Sequence, residues 1–230
     1  MMKHRNIPKP ADFPERNCIP ALYVVTDTVI GRGRSHVEIA ASAVAGGAGI
    51  IQLRDKYLAP VALLREAVAI REAMVGYDAL FVVNDSLDVA IASGADGVHL
   101  GQSDGSVTEA RDAAETDYGD GFLIGVSVGS VDEACQAVDE GADYVALGPV
   151  FPTNSKADAG AARGLLLLQE IREAVSVPLV AIGGIGPANV QDVFRAGADS
   201  AAVISAVVAQ DDVAAAARMM LELIGEVREC

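Results

Sequence analysis

Basic side chains follow two of the apolar segments that are typical of β-strands. Arg54 and Lys56 end the run Gln52–Lys56, and Lys156 lies in the polar loop Phe151–Gly160. The chain holds only four lysines, and its formal net charge is -15. An acidic protein that binds an anion must concentrate positive charge locally or recruit a metal ion. An arginine and a lysine on one face of a strand are therefore a candidate anion clamp, with a solvated charged loop as the alternative.

Two aspartates follow neighbouring apolar segments in a similar way. Asp85 comes directly after Asn84, and Asp104 follows the segment that ends at Leu100. Mg²⁺ takes oxygen ligands and is often held by one or two carboxylates together with substrate phosphates. The pair is a candidate Mg²⁺ site, although single aspartates in such loops also serve as turn or capping residues.

Hydroxyl groups follow three of the later apolar segments. Ser127 lies in the motif Gly-Val-Ser, Thr153 and Ser155 precede Lys156, and Ser205 follows Ile204. Hydroxyls, backbone amides and an ammonium group in a loop of small residues can form a phosphate cradle. A second anion site beside the first suits a reaction that joins two phosphorylated small molecules.

Glycines follow the seventh apolar segment. The pair Gly183-Gly184 would let the backbone approach a ligand closely, and a helix predicted to begin at Pro187 would offer its positive end. Loops after the seventh and eighth strands are the usual phosphate site of an α/β barrel.

Eight apolar segments alternate with eight helical patterns along the chain. Alternation of this kind predicts a parallel sheet, and eight units favour a closed (β/α)8 TIM barrel over an open doubly wound sheet. Barrel active sites lie at the carboxyl ends of the strands, which is where the residues above would meet. The predicted strands are 22–26, 50–54, 80–84, 97–100, 122–127, 144–148, 179–182 and 200–204, and the predicted helices are 35–45, 60–75, 87–93, 107–116, 131–140, 165–175, 187–196 and 213–227.

Local signals mark where several of these helices begin and end. Gly47, Gly94, Gly141 and Gly197 each follow a helical pattern and precede an apolar segment, so each is expected to end a helix with a positive φ. Ser130 and Glu133 form a capping-box pattern at the start of the fifth helix.

Length and composition limit the remaining possibilities. A chain of 230 residues with 51% hydrophobic content fits one domain, here a proline-rich extension over 1–20 and a barrel over 21–230. The acidic charge argues against nucleic-acid or anionic-membrane partners, and no segment has the length and hydropathy of a signal peptide or membrane span. Three cysteines without metal-ligand spacing favour a reducing, cytoplasmic compartment. The oligomeric state stays open, a homo-oligomer included.

The ordered motifs of the chain resemble those of the thiamine phosphate synthase family. Each motif alone is a weak signal, but the ordered set is highly specific and runs from Tyr23 to Ala209. The motifs are Tyr-Val-Val-Thr-Asp, Gln-Leu-Arg-Asp-Lys, Val-Asn-Asp, Gly-Val-His-Leu-Gly-Gln-Ser-Asp, Gly-Val-Ser, Leu-Gly-Pro-Val-Phe-Pro-Thr-Asn-Ser-Lys, Ala-Ile-Gly-Gly-Ile and Val-Ile-Ser-Ala.

The resemblance implies a (β/α)8 barrel, Mg²⁺ as cofactor, and the joining of a pyrimidine diphosphate to a thiazole phosphate with release of pyrophosphate. It also implies a dissociative mechanism, in which pyrophosphate leaves before the thiazole nitrogen attacks, and it implies Asp85 and Asp104 as metal ligands. The pyrimidine diphosphate would be bound by Gln52, Arg54, Lys56, Asn84, Ser127 and Lys156, of which Arg54, Lys56, Ser127 and Lys156 would serve catalysis. The thiazole phosphate would be bound by Thr153, Asn154, Ser155, Gly184, Ile204 and Ser205.

Three positions depart from the family pattern. Ser103 stands where an acidic residue is usual, Ser155 replaces a common threonine, and Gly129 stands where many relatives carry a histidine. The missing histidine argues against the related thiazole tautomerases, which are isomerases of the same fold. Two more functions fit a barrel of this kind: non-catalytic binding of a phosphate ligand, and isomerisation of a phosphosugar with His99 as base.

Overall fold

Eight short parallel strands pair in chain order and close into a barrel. The computed structural model describes residues 19–118, 121–155 and 160–227. The first strand pairs with both the second and the eighth, so the sheet has no free edge. Each predicted strand is confirmed to within one residue at both ends: β1 Leu22–Val25, β2 Ile50–Leu53, β3 Leu80–Asn84, β4 Gly97–Leu100, β5 Leu123–Val128, β6 Tyr144–Leu147, β7 Leu179–Ile182 and β8 Ser200–Val203.

Helices follow every strand in the described part of the chain, and all eight predicted helices are present. They are α1 His36–Ala45, α2 Pro60–Ala73, α3 Leu87–Ser93, α4 Val107–Tyr118, α5 Val131–Asp139, α6 Gly164–Ala174, α7 Val190–Arg195, α8 Ser205–Val208 and α9 Val213–Gly225. The short α8 was not predicted, because its apolar sequence reads as a continuation of β8. The predicted start of α7 at Pro187 is wrong, since a turn over 187–189 precedes the helix.

Glycines with positive φ turn the chain from helix to strand in four of the repeated units. Gly47, Gly94, Gly141 and Gly197 have φ values of 96°, 71°, 101° and 97°, as the sequence predicts. Only glycine adopts this conformation at low cost, so each can end a helix and aim the chain into the next strand. The capping box at Ser130 is half right: its hydroxyl accepts the N–H of Glu133, whereas the Glu133 carboxylate accepts the N–H of Gly129 at 2.6 Å.

Three buried aspartates hold the opposite end of the barrel, where the strands begin. Each precedes an even-numbered strand, accepts a backbone N–H near the start of the preceding strand, and pairs with an arginine of an outer helix. The pairs are Arg71–Asp96, Arg111–Asp143 and Arg172–Asp199. These contacts leave the carboxyl ends of the strands free to carry a site.

Two expectations from the sequence concern the N-terminal extension and the cysteines. Residues 1–18 of the predicted extension lie outside the described residues, while Ile19 is buried in the core and Pro20 packs closely on Gly49. Cys135 is partly buried against the core, and Cys18 and Cys230 lie outside the described residues. None of the helices over the described ranges is long and apolar enough to cross a membrane.

Candidate active site

A cavity of about 310 Å³ opens at the carboxyl ends of the strands. Its wall is built from loops that leave different strands, so residues far apart in sequence meet there. The sequence-predicted residues that line it are Arg54, Lys56, Asn84, Asp85, Asp104, Ser127, Thr153, Ser155, Gly184, Ile204 and Ser205. Gln52 and Asn154 do not line it, and Lys156 lies outside the described residues.

Asp85 has the most perturbed environment among the acidic residues that line the cavity. Its backbone takes a left-handed conformation with φ 64°, which aspartate tolerates better than most residues, and its N–H donates to the carbonyl of His99 at 2.8 Å. Burial raises the pKa of Asp85 to about 6, and the neighbouring Asp104 adds to this rise. Lys56 and Arg54 oppose that rise in pKa. Two carboxylates thus share a small space in which their charges repel each other.

Asp104 is held in place by its own loop. One carboxylate oxygen accepts the N–H of Gly101 at 2.9 Å, and the other accepts the hydroxyl of Ser103 at 3.4 Å. A side chain at Gly101 would begin 2.5 Å from the Asp104 carboxylate, so glycine is needed for this approach. The unusual Ser103 therefore supports Asp104 directly through its hydroxyl group.

The carboxylate pair fits a Mg²⁺ ion. Mg²⁺ commonly binds through one or two carboxylates and completes its shell with water and substrate phosphates. Within the described residues no cluster of three or more histidine, cysteine or acidic side chains is placed to hold a metal, which disfavours a site built from protein ligands alone. Asp85 and Asp104 would be the protein ligands, and the cation would offset both the burial and the repulsion by Asp104 that raise the pKa of Asp85.

Gln52 lies below the cavity, within a buried polar network that fills the barrel interior. Its side-chain amide donates to the Tyr23 hydroxyl at 2.7 Å. The Tyr23 hydroxyl in turn lies 3.0 Å from the Tyr144 hydroxyl. His99 Nδ1 lies 3.1 Å from that same Tyr144 hydroxyl, and His99 Nε2 lies 2.9 Å from Ser127 Oγ. The network therefore links Gln52 to a serine of the cavity wall.

The two tyrosines of this network were not singled out from the sequence. Burial raises the pKa of Tyr23 and of Tyr144, so both stay neutral and act as hydrogen-bond donors and acceptors. A side chain at Gly125 would collide with the Tyr144 ring, so this strand glycine makes room for it. The sequence signal that could have revealed this packing is the glycine inside an apolar strand, because such a glycine often marks the close approach of another group. His99 is buried and hydrogen-bonded as part of this packing.

Hydroxyl groups line the other side of the cavity. Ser155 Oγ donates to Ser205 Oγ at 3.3 Å, which joins the loop after β6 to the start of α8. The N–H of Ser155 donates to Thr153 Oγ1 at 3.1 Å, so Thr153 shapes the turn that presents Ser155. The neighbouring Asn154 is exposed to solvent.

Gly184 serves loop packing in addition to lining the cavity. Its φ is 66°, and a Cβ there would lie 2.6 Å from the Pro152 carbonyl oxygen and 2.8 Å from Phe151 Cβ. The close approach that the Gly-Gly pair permits is therefore to the loop after β6, which carries Thr153 and Ser155.

Gly129 leaves space at the end of β5 that an arginine occupies. A Cβ at position 129 would lie 2.9 Å from Arg163 Nη2 and 3.4 Å from a carboxylate oxygen of Glu133. A histidine at this position would have to displace the Arg163 guanidinium. The space that a side chain at position 129 would need is therefore taken by a cation from the loop after β6.

The chain is similar in sequence to proteins named thiamine-phosphate synthase. Residues 22–207 match the sequence model of the family described as thiamine monophosphate synthase. The thiamine-phosphate synthase of Methanoculleus marisnigri is 61% identical over 203 residues, or 88% of this chain and 94% of that protein. The corresponding protein of Methanocella arvoryzae is 55% identical over 207 residues, or 90% of this chain and 96% of the relative.

A solved structure gives the same result. Thiamine phosphate pyrophosphorylase from Pyrococcus furiosus has a TM-score of 0.83 and 40% identity, covering 92% of this chain and 98% of that one. A 3-hexulose-6-phosphate synthase, at 24% identity and a TM-score of 0.68, shares the barrel fold over 89% of this chain and 99% of its own. The chain therefore belongs to the thiamine monophosphate synthase family, and it is a transferase that forms thiamine phosphate.

Proposed function

We propose that the chain joins 4-amino-5-hydroxymethyl-2-methylpyrimidine diphosphate to 4-methyl-5-(2-hydroxyethyl)thiazole phosphate and releases pyrophosphate. One observation carries the assignment of substrates: a single cavity presents cations and a carboxylate pair on one side and hydroxyl groups on the other. Two phosphorylated molecules can therefore bind side by side in this cavity. The family and the activity of its members supply the chemical identity of the pair.

The diphosphate binds at the side that holds Arg54 and Lys56, which we call the diphosphate clamp. Both cations act electrostatically on Asp85, so they stand beside the carboxylate pair. Mg²⁺ held by Asp85 and Asp104 would neutralise part of the charge on the diphosphate when bound. Asn84 and Ser127 line the same cavity and supply polar contacts, and Lys156 would add a further cation.

The reaction follows from the electrostatics of the clamp. The bond between the exocyclic CH₂ carbon and the diphosphate oxygen breaks first, and its electron pair leaves with pyrophosphate. Arg54, Lys56 and Lys156 stabilise the negative charge that builds on this leaving group, an effect of preorganised charge. The carbocation left on the pyrimidine accepts the lone pair of the thiazole nitrogen, which forms the new C–N bond. No proton is transferred in either step, so no catalytic acid or base is required.

The thiazole phosphate binds at the hydroxyl side. Ser155 and Ser205 donate to its phosphate, while Thr153 and Gly184 hold the loop that presents Ser155. Barrel enzymes often bind phosphate with the loops after the last strands and a short extra helix, which α8 provides here. This arrangement places the thiazole nitrogen for attack by restricting its orientation. Ile204 supplies apolar contact beside the phosphate.

The location proposed for this chemistry is the cytoplasm. The three cysteines show no spacing typical of a disulfide framework, as is usual in a reducing compartment.

The direct test is to mix the purified chain with both phosphorylated precursors and Mg²⁺. We expect thiamine phosphate and pyrophosphate in equal amounts, and no product when either precursor is left out. Asp104→Asn provides a matched variant, since it keeps the shape of the side chain and removes one charge from the carboxylate pair. Absence of product from folded wild-type protein would refute the assignment.

A further inference from the structure

Two residues of the ordered motifs have no part in the proposed reaction, and a buried histidine joins them. They are Thr26, at the end of β1, and Asp55, between Arg54 and Lys56. His36 Nδ1 lies 2.7 Å from Thr26 Oγ1, and His36 Nε2 lies 3.2 Å from Asp55 Oδ2. Thr26 is fully buried and His36 is 3% exposed, while the Asp55 side chain is 16% exposed, so the bridge runs from the barrel interior to a partly buried carboxylate.

The donors and acceptors of this bridge are consistent along its length. Asp55 is a carboxylate and only accepts, so His36 Nε2 carries a proton and donates to it. With a neutral imidazole, Nδ1 then accepts the hydroxyl proton of Thr26. The Thr26 oxygen in turn accepts the N–H of Arg54, at 3.4 Å. Each polar atom of the bridge thus has a matching partner, and the bond between His36 and Thr26 is buried, where such bonds are strong.

The bridge ends on the turn that follows Lys56. The second carboxylate oxygen of Asp55 accepts the N–H of Tyr57 at 2.8 Å and the N–H of Leu58 at 3.0 Å. These bonds and the contact with His36 outweigh the effect of burial and lower the pKa of Asp55, so the carboxylate stays charged. Lys56 therefore lies between Arg54, whose N–H is bonded to Thr26, and the turn residues Tyr57 and Leu58, whose N–H groups are bonded to Asp55.

We propose that His36 is a positioning residue for the diphosphate clamp. His36 is not among the residues that line the cavity, and it acts by joining Asp55 to the end of β1 next to Arg54 and Lys56. The proposal rests on the proposed function, because it assumes that the clamp binds the diphosphate substrate. It predicts that loss of the bridge weakens binding of one substrate and leaves the other unaffected.

Two substitutions of His36 test its contacts with Thr26 and with Asp55 separately. In His36→Asn the short amide can reach Thr26, in the place of Nδ1, but cannot reach Asp55. In His36→Gln the longer amide can reach Asp55, in the place of Nε2. The control is Ser35→Ala, which removes the N-cap of the same helix without touching Thr26 or Asp55.

Kinetics with each substrate varied in turn provides the first readout. We expect His36→Asn to raise the KM for the pyrimidine diphosphate about tenfold, the usual size of a lost hydrogen bond to a charged group. The KM for the thiazole phosphate should stay within about twofold, and His36→Gln should recover most of the loss. Ser35→Ala should lower the melting temperature without this split. Equal effects on both substrates, or no advantage of Gln over Asn, would overturn the proposal.

Hydrogen exchange gives a second readout that needs no activity. The amides of Tyr57 and Leu58 should exchange faster in His36→Asn than in the wild type or in Ser35→Ala. Unchanged exchange at these two amides would show that His36 does not hold the turn. If the wild type made no thiamine phosphate, the proposed function would fail, while the exchange result would still decide whether the bridge holds Asp55.

Discussion

Asp85 and Asp104 line the same cavity where the loops after β3 and β4 meet, close enough for Asp104 to raise the pKa of Asp85 beyond the effect of burial. Neither aspartate is near the other in sequence, and each leaves a different strand. Their closeness, together with the partial burial of Asp85, makes this pair the clearest sign of a cation site in the cavity.

The pH dependence of Mg²⁺ activation follows from this pair. Burial first, and then Asp104, raises the pKa of Asp85 to about 6, so below that pH a proton occupies the place of the metal. Activity at limiting Mg²⁺ should therefore rise as the pH increases through about 6. Saturating Mg²⁺ should move the midpoint to lower pH, because metal and proton compete.

Initial rates over a grid of pH and Mg²⁺ concentration would test this prediction. In Asp104→Asn the neighbouring charge is gone, so the pKa of Asp85 should fall and the Mg²⁺ requirement should increase. A midpoint of the pH dependence that does not change with the Mg²⁺ concentration would contradict the assignment of the pair as metal ligands.

The same pair predicts how metal-free stability changes with pH. A carboxyl whose pKa is higher in the folded than in the unfolded protein binds its proton more tightly when folded. Its contribution to stability is therefore present at low pH and is lost as the pH rises toward about 6. Relative to Asp85→Asn, the metal-free wild type should lose free energy of unfolding over this range. Chemical denaturation of both proteins in the presence of a chelator would measure the difference.

Lys156→Ala tests the leaving-group chemistry. If the ammonium group stabilises departing pyrophosphate, kcat should fall roughly 100- to 1,000-fold, which is typical for the loss of one preorganised electrostatic donor. Lys9→Ala, in the N-terminal extension, removes the same charge far along the chain and should leave kcat unchanged. A normal kcat with only a raised KM would assign Lys156 to binding alone.

Gly184→Ala separates loop packing from ligand contact. The substitution places a Cβ against the Pro152 carbonyl and forces an unfavourable φ, so we expect a loss of about 1–3 kcal/mol in the free energy of unfolding. Because the displaced loop carries Thr153 and Ser155, the KM for the thiazole phosphate should also rise. Gly186→Ala is the matched control, since its Cβ would meet nothing closer than Ala206 Cβ at 4.0 Å. Denaturant unfolding and kinetics that do not distinguish the two variants would show that packing at Gly184 is unimportant.

Much of the fold could be predicted from the sequence, because its signals are local. Apolar runs and helical periodicity placed eight strands to within one residue, and the glycines between helices and strands have the expected positive φ. The rule that barrel sites lie at strand ends then brought Arg54, Lys56, Asp85 and Asp104 to one rim. The sequence alone thus determined the architecture and the kind of groups at the site.

Contacts between loops depended on the tertiary structure. The effect of Asp104 on the pKa of Asp85, the contact of Gly184 with the loop after β6, and the bridge from Thr26 through His36 to Asp55 all join residues from different units. The short α8 was missed because four residues are too few to show a helical period. Strand and helix formation depends on neighbours along the chain, whereas pKa shifts and side-chain orientation depend on distances that exist only once the barrel has closed.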